Sequence, residues 1–128
     1  LPVYYLFPNI IFMPTQEGAF LVQEYPLENS PHKSVSKISF YFYPHVLEHV
    51  KQLEKQGING KELLQQQYNG FASVIRDEDY VAAASSHKGL KSGNIDYLTF
   101  GKNEPALHHY HNTYREALGL QSLPLEEA

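Results

Sequence analysis

The chain has 128 residues and a formal charge of −4; 42% of it is apolar and 13% aromatic, with ten Tyr and seven Phe but no Cys or Trp. This length suits one domain with a packed core, and the aromatic content argues against disorder. The missing cysteines exclude a disulfide, a thiolate nucleophile, Cys-bound zinc and an iron–sulfur cluster, and the negative charge disfavours non-specific binding to nucleic acid or anionic membrane.

The opening LPVYYLFPNIIFMP is interrupted by Pro2, Pro8 and Pro14 and has no cationic start, so it does not read as a signal peptide. No apolar run reaches the roughly 18 residues a membrane span needs. Aromatic and β-branched residues predict strands over Val3–Phe7 and Ile10–Met13, separated at Pro8-Asn9. Opening on Leu1 inside a strand-like segment leads us to expect further sequence upstream. Glu17-Gly18 predicts a turn, and Ala19 to Tyr25 alternates, with Phe20 and Val22 opposed to Leu21 and Gln23. After a loop at Glu28–Pro31, Val35 to Tyr43 places Ile38, Phe40 and Phe42 on one face and Lys37, Ser39 and Tyr41 on the other. Three or four antiparallel strands follow, each with one packed face.

After Pro44 the apolar period lengthens to that of a helix. Val46, Val50 and Leu53 form a stripe ending at Gly57 or Gly60. A second helical stretch is expected from about Lys61 to Ser86, interrupted near Asn69-Gly70. Gly89, Gly93 and Asn94 predict a loop, and Tyr97 to Phe100 a short strand. Asn103 predicts the N-cap of a last helix with Pro105 in its first turn and Gly119 at its close. The acidic tail from Leu123 to Ala128 is expected to fray. The sum is an α+β domain: strands over 1–43, a mainly helical part over 44–119 and a tail over 120–128.

Seven histidines invite a search for a metal site. His45 and His49 share a helix face at i, i+4, but no acidic residue follows His45 as a zinc-protease pattern needs, and the pair reads as surface histidines. On the last helix, Leu107, Tyr110, Tyr114 and Leu118 form the apolar stripe, leaving His108, His111 and Arg115 on the solvated side. The run Arg76-Asp77-Glu78-Asp79 is more informative. At about 100° per residue, Asp79 aligns with the apolar residues Phe71, Ile75, Ala82 and Ala83. A carboxylate on a buried stripe needs a charge partner or a metal, so two readings stay open: a metal ligand, or a structural carboxylate paired with Arg or Tyr.

One family pattern matches several of these residues. Glu78-Asp79, His87-Lys88-Gly89-Leu90-Lys91-Ser92, Phe100-Gly101-Lys102-Asn103-Glu104-Pro105 and Tyr110-His111 together resemble the C-terminal part of the catalytic domain of Rieske non-haem iron oxygenases, the alpha subunits of ring-hydroxylating dioxygenases. Tyr5-Leu6-Phe7-Pro8-Asn9 and Glu24-Tyr25-Pro26-Leu27 fit the strands of that family. His87 stands where the family usually has Gln, and Lys102 where it often has Arg.

The resemblance implies a helix-grip α+β fold, an antiparallel sheet with long C-terminal helices, here incomplete. It implies that Asp79 is the carboxylate of a two-histidine, one-carboxylate mononuclear Fe(II) site, with both histidines and the Rieske [2Fe-2S] domain upstream of Leu1. Phe71 and Ile75 then border an apolar substrate pocket. The implied reaction is O₂-dependent hydroxylation or dihydroxylation of an aromatic or small apolar substrate, as in aromatic catabolism. A ferredoxin or reductase would donate electrons to a cytoplasmic homotrimer or α3β3 assembly, without nucleic acid or membrane. The isolated chain is expected to be inactive. Two other readings remain at this stage: a metal-free helix-grip module binding a small molecule, and a non-catalytic assembly domain.

Overall fold

The computed structural model describes residues 1–124; the end of the expected frayed tail, residues 125–128, lies outside the described residues. Two compact units divide the chain, the first ending at Ser86 and the second starting at His87.

The first unit opens with an antiparallel meander of β1 (Tyr4–Leu6), β2 (Ile10–Pro14), β3 (Gly18–Pro26) and β4 (Ser34–Phe42), hydrogen-bonded in that order. Turn chemistry explains the short β2–β3 connection. The Thr15 N–H donates to the Gly18 carbonyl at 2.8 Å, and the Gly18 N–H donates to Thr15 Oγ1 at 3.1 Å. Gly18 is required there, because a Cβ would lie 1.9 Å from the Tyr41 carbonyl oxygen on β4.

Register sets the packed face. Phe20 lies opposite Phe40, Val22 opposite Ile38 and Glu24 opposite Ser36, so all six residues share one side of the sheet. The alternation expected for β3 and β4 is therefore present, with Phe20 4% and Val22 2% exposed. Met13 joins them from β2 and Ile75 from the helical layer.

That layer begins with α1 (Pro44–Lys55), which carries Pro44 at its start and buries Val50. Helix α2 (Gly60–Val74) is capped by Asn59, whose Oδ1 accepts the Glu62 N–H at 3.2 Å. The expected interruption at Asn69-Gly70 does not occur. Tyr68 donates from its hydroxyl to the Ile38 carbonyl at 3.1 Å, and Phe71 stacks on Phe20 at 3.6 Å. Anchors on both sides outweigh the roughly 1 kcal/mol by which Gly disfavours a helix.

Beyond Val74 the helix does change, at a π turn over Ile75–Asp79. It then resumes as α3 (Tyr80–Lys91), across the boundary between the units. Helix, sheet and layer together make the α+β class expected from the sequence.

In the second unit, residues 94–100 form no strand, and α4 (Pro105–Ala117) follows with Glu104 rather than Asn103 at its N-cap. Gly119 closes it at φ 68°. The helix face expected to be solvated is instead half-buried at His108, His111 and Arg115. The extended segment before α4 accounts for this: Phe100 stacks on His111 at 4.9 Å and meets His108 edge-on at 5.9 Å. Leu107 and Leu118, expected on the packed stripe, are exposed.

Candidate functional site

The run Arg76-Asp77-Glu78-Asp79 occupies the π turn, whose closing bond runs from the Tyr80 N–H to the Ile75 carbonyl. Hydrogen bonds in such a turn span five residues instead of four, and single π turns recur at functional sites. The extra residue changes which side chain follows Ile75 on the sheet-facing side. An α-helix would place Asp79 there; the wider turn places Tyr80 there. Ile75 is buried, as expected, whereas Asp79, Ala82 and Ala83 are exposed. The buried-stripe expectation for Asp79 is thus corrected.

The three acids of the run are not equivalent. Arg76 grips Asp77 through two bonds of 2.7 Å, from Nε to Oδ1 and from Nη2 to Oδ2. The hydrogen bond from this guanidinium holds the Asp77 carboxyl below its ordinary pKa. Asp79 makes no hydrogen bond or ion pair among the described residues. Asp79 is exposed to solvent.

Tyr80 leads in the opposite direction. Its hydroxyl donates to Glu24 Oε1 on β3 at 3.0 Å, and the Ser36 hydroxyl on β4 lies 2.7 Å from the same oxygen and 2.6 Å from Oε2. The Glu24 main chain is itself pinned, for its N–H donates to the Asn9 carbonyl at 3.0 Å and its carbonyl accepts from Asn9 Nδ2 at 2.7 Å. Partial burial, with the neighbouring Glu24 carboxylate, raises the Tyr80 phenol above its ordinary pKa, so at neutral pH it remains a donor. The sequence alone assigns no site role to Glu24, Ser36 or Tyr80. Glu24 carries a usable signal, because it continues the packed face of Phe20 and Val22 two residues further along β3.

The structure brings Phe71, Ile75 and Asp79 onto one helical segment, but they face different surroundings. Phe71 and Ile75 join the core over the sheet. A groove of about 480 Å³ in this unit lies between β4 and α2, lined by Ile38, Phe40, Phe42, Leu64 and Tyr68 with Lys61 at its side, and neither Phe71 nor Ile75 borders it. His45 and His49 are both exposed on α1.

A family model described as the ring hydroxylating alpha subunit, catalytic domain, matches residues 2–120. The chain belongs to this ring-hydroxylating alpha-subunit family. No curated protein matches the chain, and no solved structure matches it either. Family membership makes the chain part of an oxygenase catalytic domain, an oxidoreductase whose full form uses non-haem iron.

The residues present meet only part of that requirement. Among the described residues, no group of three or more His, Cys, Asp or Glu could hold a metal ion. Asp79 nevertheless offers an unengaged anionic oxygen, the hard donor that ferrous iron accepts beside imidazoles. The donors among the described residues do not by themselves complete an iron site. Among the described residues, no helix is long and apolar enough to cross a membrane.

Proposed function

We propose that this chain forms one wall of an oxygenase catalytic domain and contributes Asp79 as the carboxylate ligand of its mononuclear Fe(II). The observation that carries this reading is the open Asp79 carboxylate at the end of a π turn, in a chain matched over residues 2–120 by the ring-hydroxylating family. The two imidazole ligands and the Rieske cluster come from residues outside this sequence. Fe(II) held there would supply O₂ activation beside a bound substrate, for hydroxylation or dihydroxylation of an aromatic or small apolar molecule.

The residues of this chain do the holding. Asp79 neutralises part of the metal charge. Arg76, committed to Asp77, leaves Asp79 free of a competing ion pair. Phe71 and Ile75, packed on the sheet, give the turn an apolar backing. Electrons reach the site from a ferredoxin or reductase, and the working assembly is a trimer or α3β3 oligomer.

Metal analysis tests the assignment. In the full-length subunit, Asp79→Ala is expected to lower iron content and turnover together while the oligomer stays intact. Iron content equal to that of the unsubstituted subunit would overturn the assignment.

A further inference from the structure

Between Asp79 and the sheet stands a connection that a ligand role for Asp79 does not require. Tyr80 is the next residue, and its hydroxyl reaches 56 positions back in sequence to Glu24 on β3. Glu24 is a fixed post: its main chain is tied to Asn9 in both directions, and its carboxylate is also held by Ser36. The other end of the connection is the wide turn, closed from the Tyr80 N–H to the Ile75 carbonyl. A π turn is a rare variant of the helix, found mostly as single turns at functional sites, and here it coincides with a contact to the sheet.

We infer that Tyr80 is a positioning residue: its hydrogen bond to Glu24 holds the π turn open and thereby turns the Asp79 carboxylate away from the sheet. This inference rests on the iron-ligand reading of Asp79 for its functional consequence, while the clamp itself can be observed without metal. Its physical content is geometric. With Tyr80 drawn onto the sheet-facing side above Ile75, Asp79 is rotated to the outer side of the same turn. Without the phenol hydroxyl, the segment loses the hydrogen bond that ties Tyr80 to Glu24, and its wide turn opens more readily toward the α-helical hydrogen-bonding pattern.

The clamp makes a different demand on each of its members. Tyr80→Phe keeps the ring and removes only the donor. Glu24→Gln keeps an acceptor oxygen and removes the charge, so it should preserve most of the effect. Glu24→Leu removes the acceptor altogether, and the Ser36 contact with it, so over residues 75–81 it should be at least as severe as Tyr80→Phe, and adding Tyr80→Phe to it should cost nothing more.

The test uses the full-length subunit with two readouts, amide hydrogen exchange over residues 75–81 in the apo-protein and Fe(II) affinity. Tyr80→Phe is expected to speed exchange in this segment about tenfold and to weaken iron binding about tenfold, with the global melting temperature little changed. Glu24→Gln alone should retain most of the exchange protection and of the iron affinity. Faster exchange with unchanged iron affinity would reduce the contact to a structural one and overturn the positioning role. Unchanged exchange would overturn the clamp itself. Asp79→Asn separates this inference from the reading beneath it: it should abolish tight iron binding while leaving exchange protection intact. Retention of iron in Asp79→Asn would reject the ligand reading and, with it, the positioning role.

Discussion

The Tyr80 N–H donates to the carbonyl of Ile75, five residues back, where a regular helix would have joined Asp79 to Ile75. This one extra residue decides the chemistry of the segment. It leaves Ile75 in the core, sends Tyr80 to Glu24 and gives Asp79 an open carboxylate.

Deletion of Asp77 puts the origin of the wide turn to the test. The deletion places Tyr80 four positions after Ile75, so the turn can close with ordinary α-helical bonds and Tyr80 still faces the sheet. The exposed Arg76–Asp77 pair lost with it contributes little. Thermal unfolding followed by circular dichroism should show unchanged helix content and a melting temperature that is equal or slightly higher. A fall of more than about 5 °C would mean that packing, and not the extra residue, keeps the turn wide.

Packing between α2 and β3 should dominate the stability of the first unit. Phe71 stacks on Phe20 at 3.6 Å, over the buried Val22 and Met13. Phe71→Ala is expected to cost about 3 kcal/mol through lost burial and the cavity it leaves. Tyr97→Ala, at a residue 81% exposed, should stay within about 0.5 kcal/mol of the unsubstituted protein. Urea unfolding reads both, and similar losses at the two positions would contradict the placement of the core.

Two glycines should respond in opposite directions. Gly18→Ala drives a Cβ into the Tyr41 carbonyl, 1.9 Å away, and should destabilise the β3–β4 pairing by about 2 kcal/mol or more. Gly70→Ala adds a Cβ with nothing within 4 Å in the middle of α2, and should stabilise by about 1 kcal/mol. The same pair of unfolding curves checks both. A destabilised Gly70→Ala would favour the helix break that the sequence suggests at Asn69-Gly70.

The strands were legible in the sequence because their signal is local. Phe20, Val22, Ile38 and Phe40 alternate within short segments, and the sheet face follows from a period of two. Pro44, Asn59 and Gly119 likewise mark helix ends through their own backbone and capping chemistry. What stayed illegible depends on contacts distant in sequence or on a change of period. Gly70 is overruled by Phe71 and Tyr68 packing on strands some 30 to 50 positions earlier. The burial of His108 and His111 comes from Phe100 folding back onto them. For Asp79, a fixed period of 3.6 residues assigns the carboxylate to the wrong side of the helix. A π turn adds one residue to that count, and nothing in Ile75-Arg76-Asp77-Glu78-Asp79 announces it. The Glu24–Tyr80 bond, which spans 56 positions, was beyond the reach of any periodic pattern.

Everything proposed for the site converges on the Asp79 carboxylate, and Fe(II) binding by the full-length subunit carrying Asp79→Asn tests it most directly. Asn keeps the shape of the side chain and removes its charge. Since loss of a residue that merely supports a ligand weakens metal binding by about 10- to 100-fold, loss of the anionic ligand itself should weaken it by at least about 100-fold. Turnover should fall with it, while the melting temperature of the apo-protein stays the same. Iron bound at the original affinity, with turnover retained, would contradict the account.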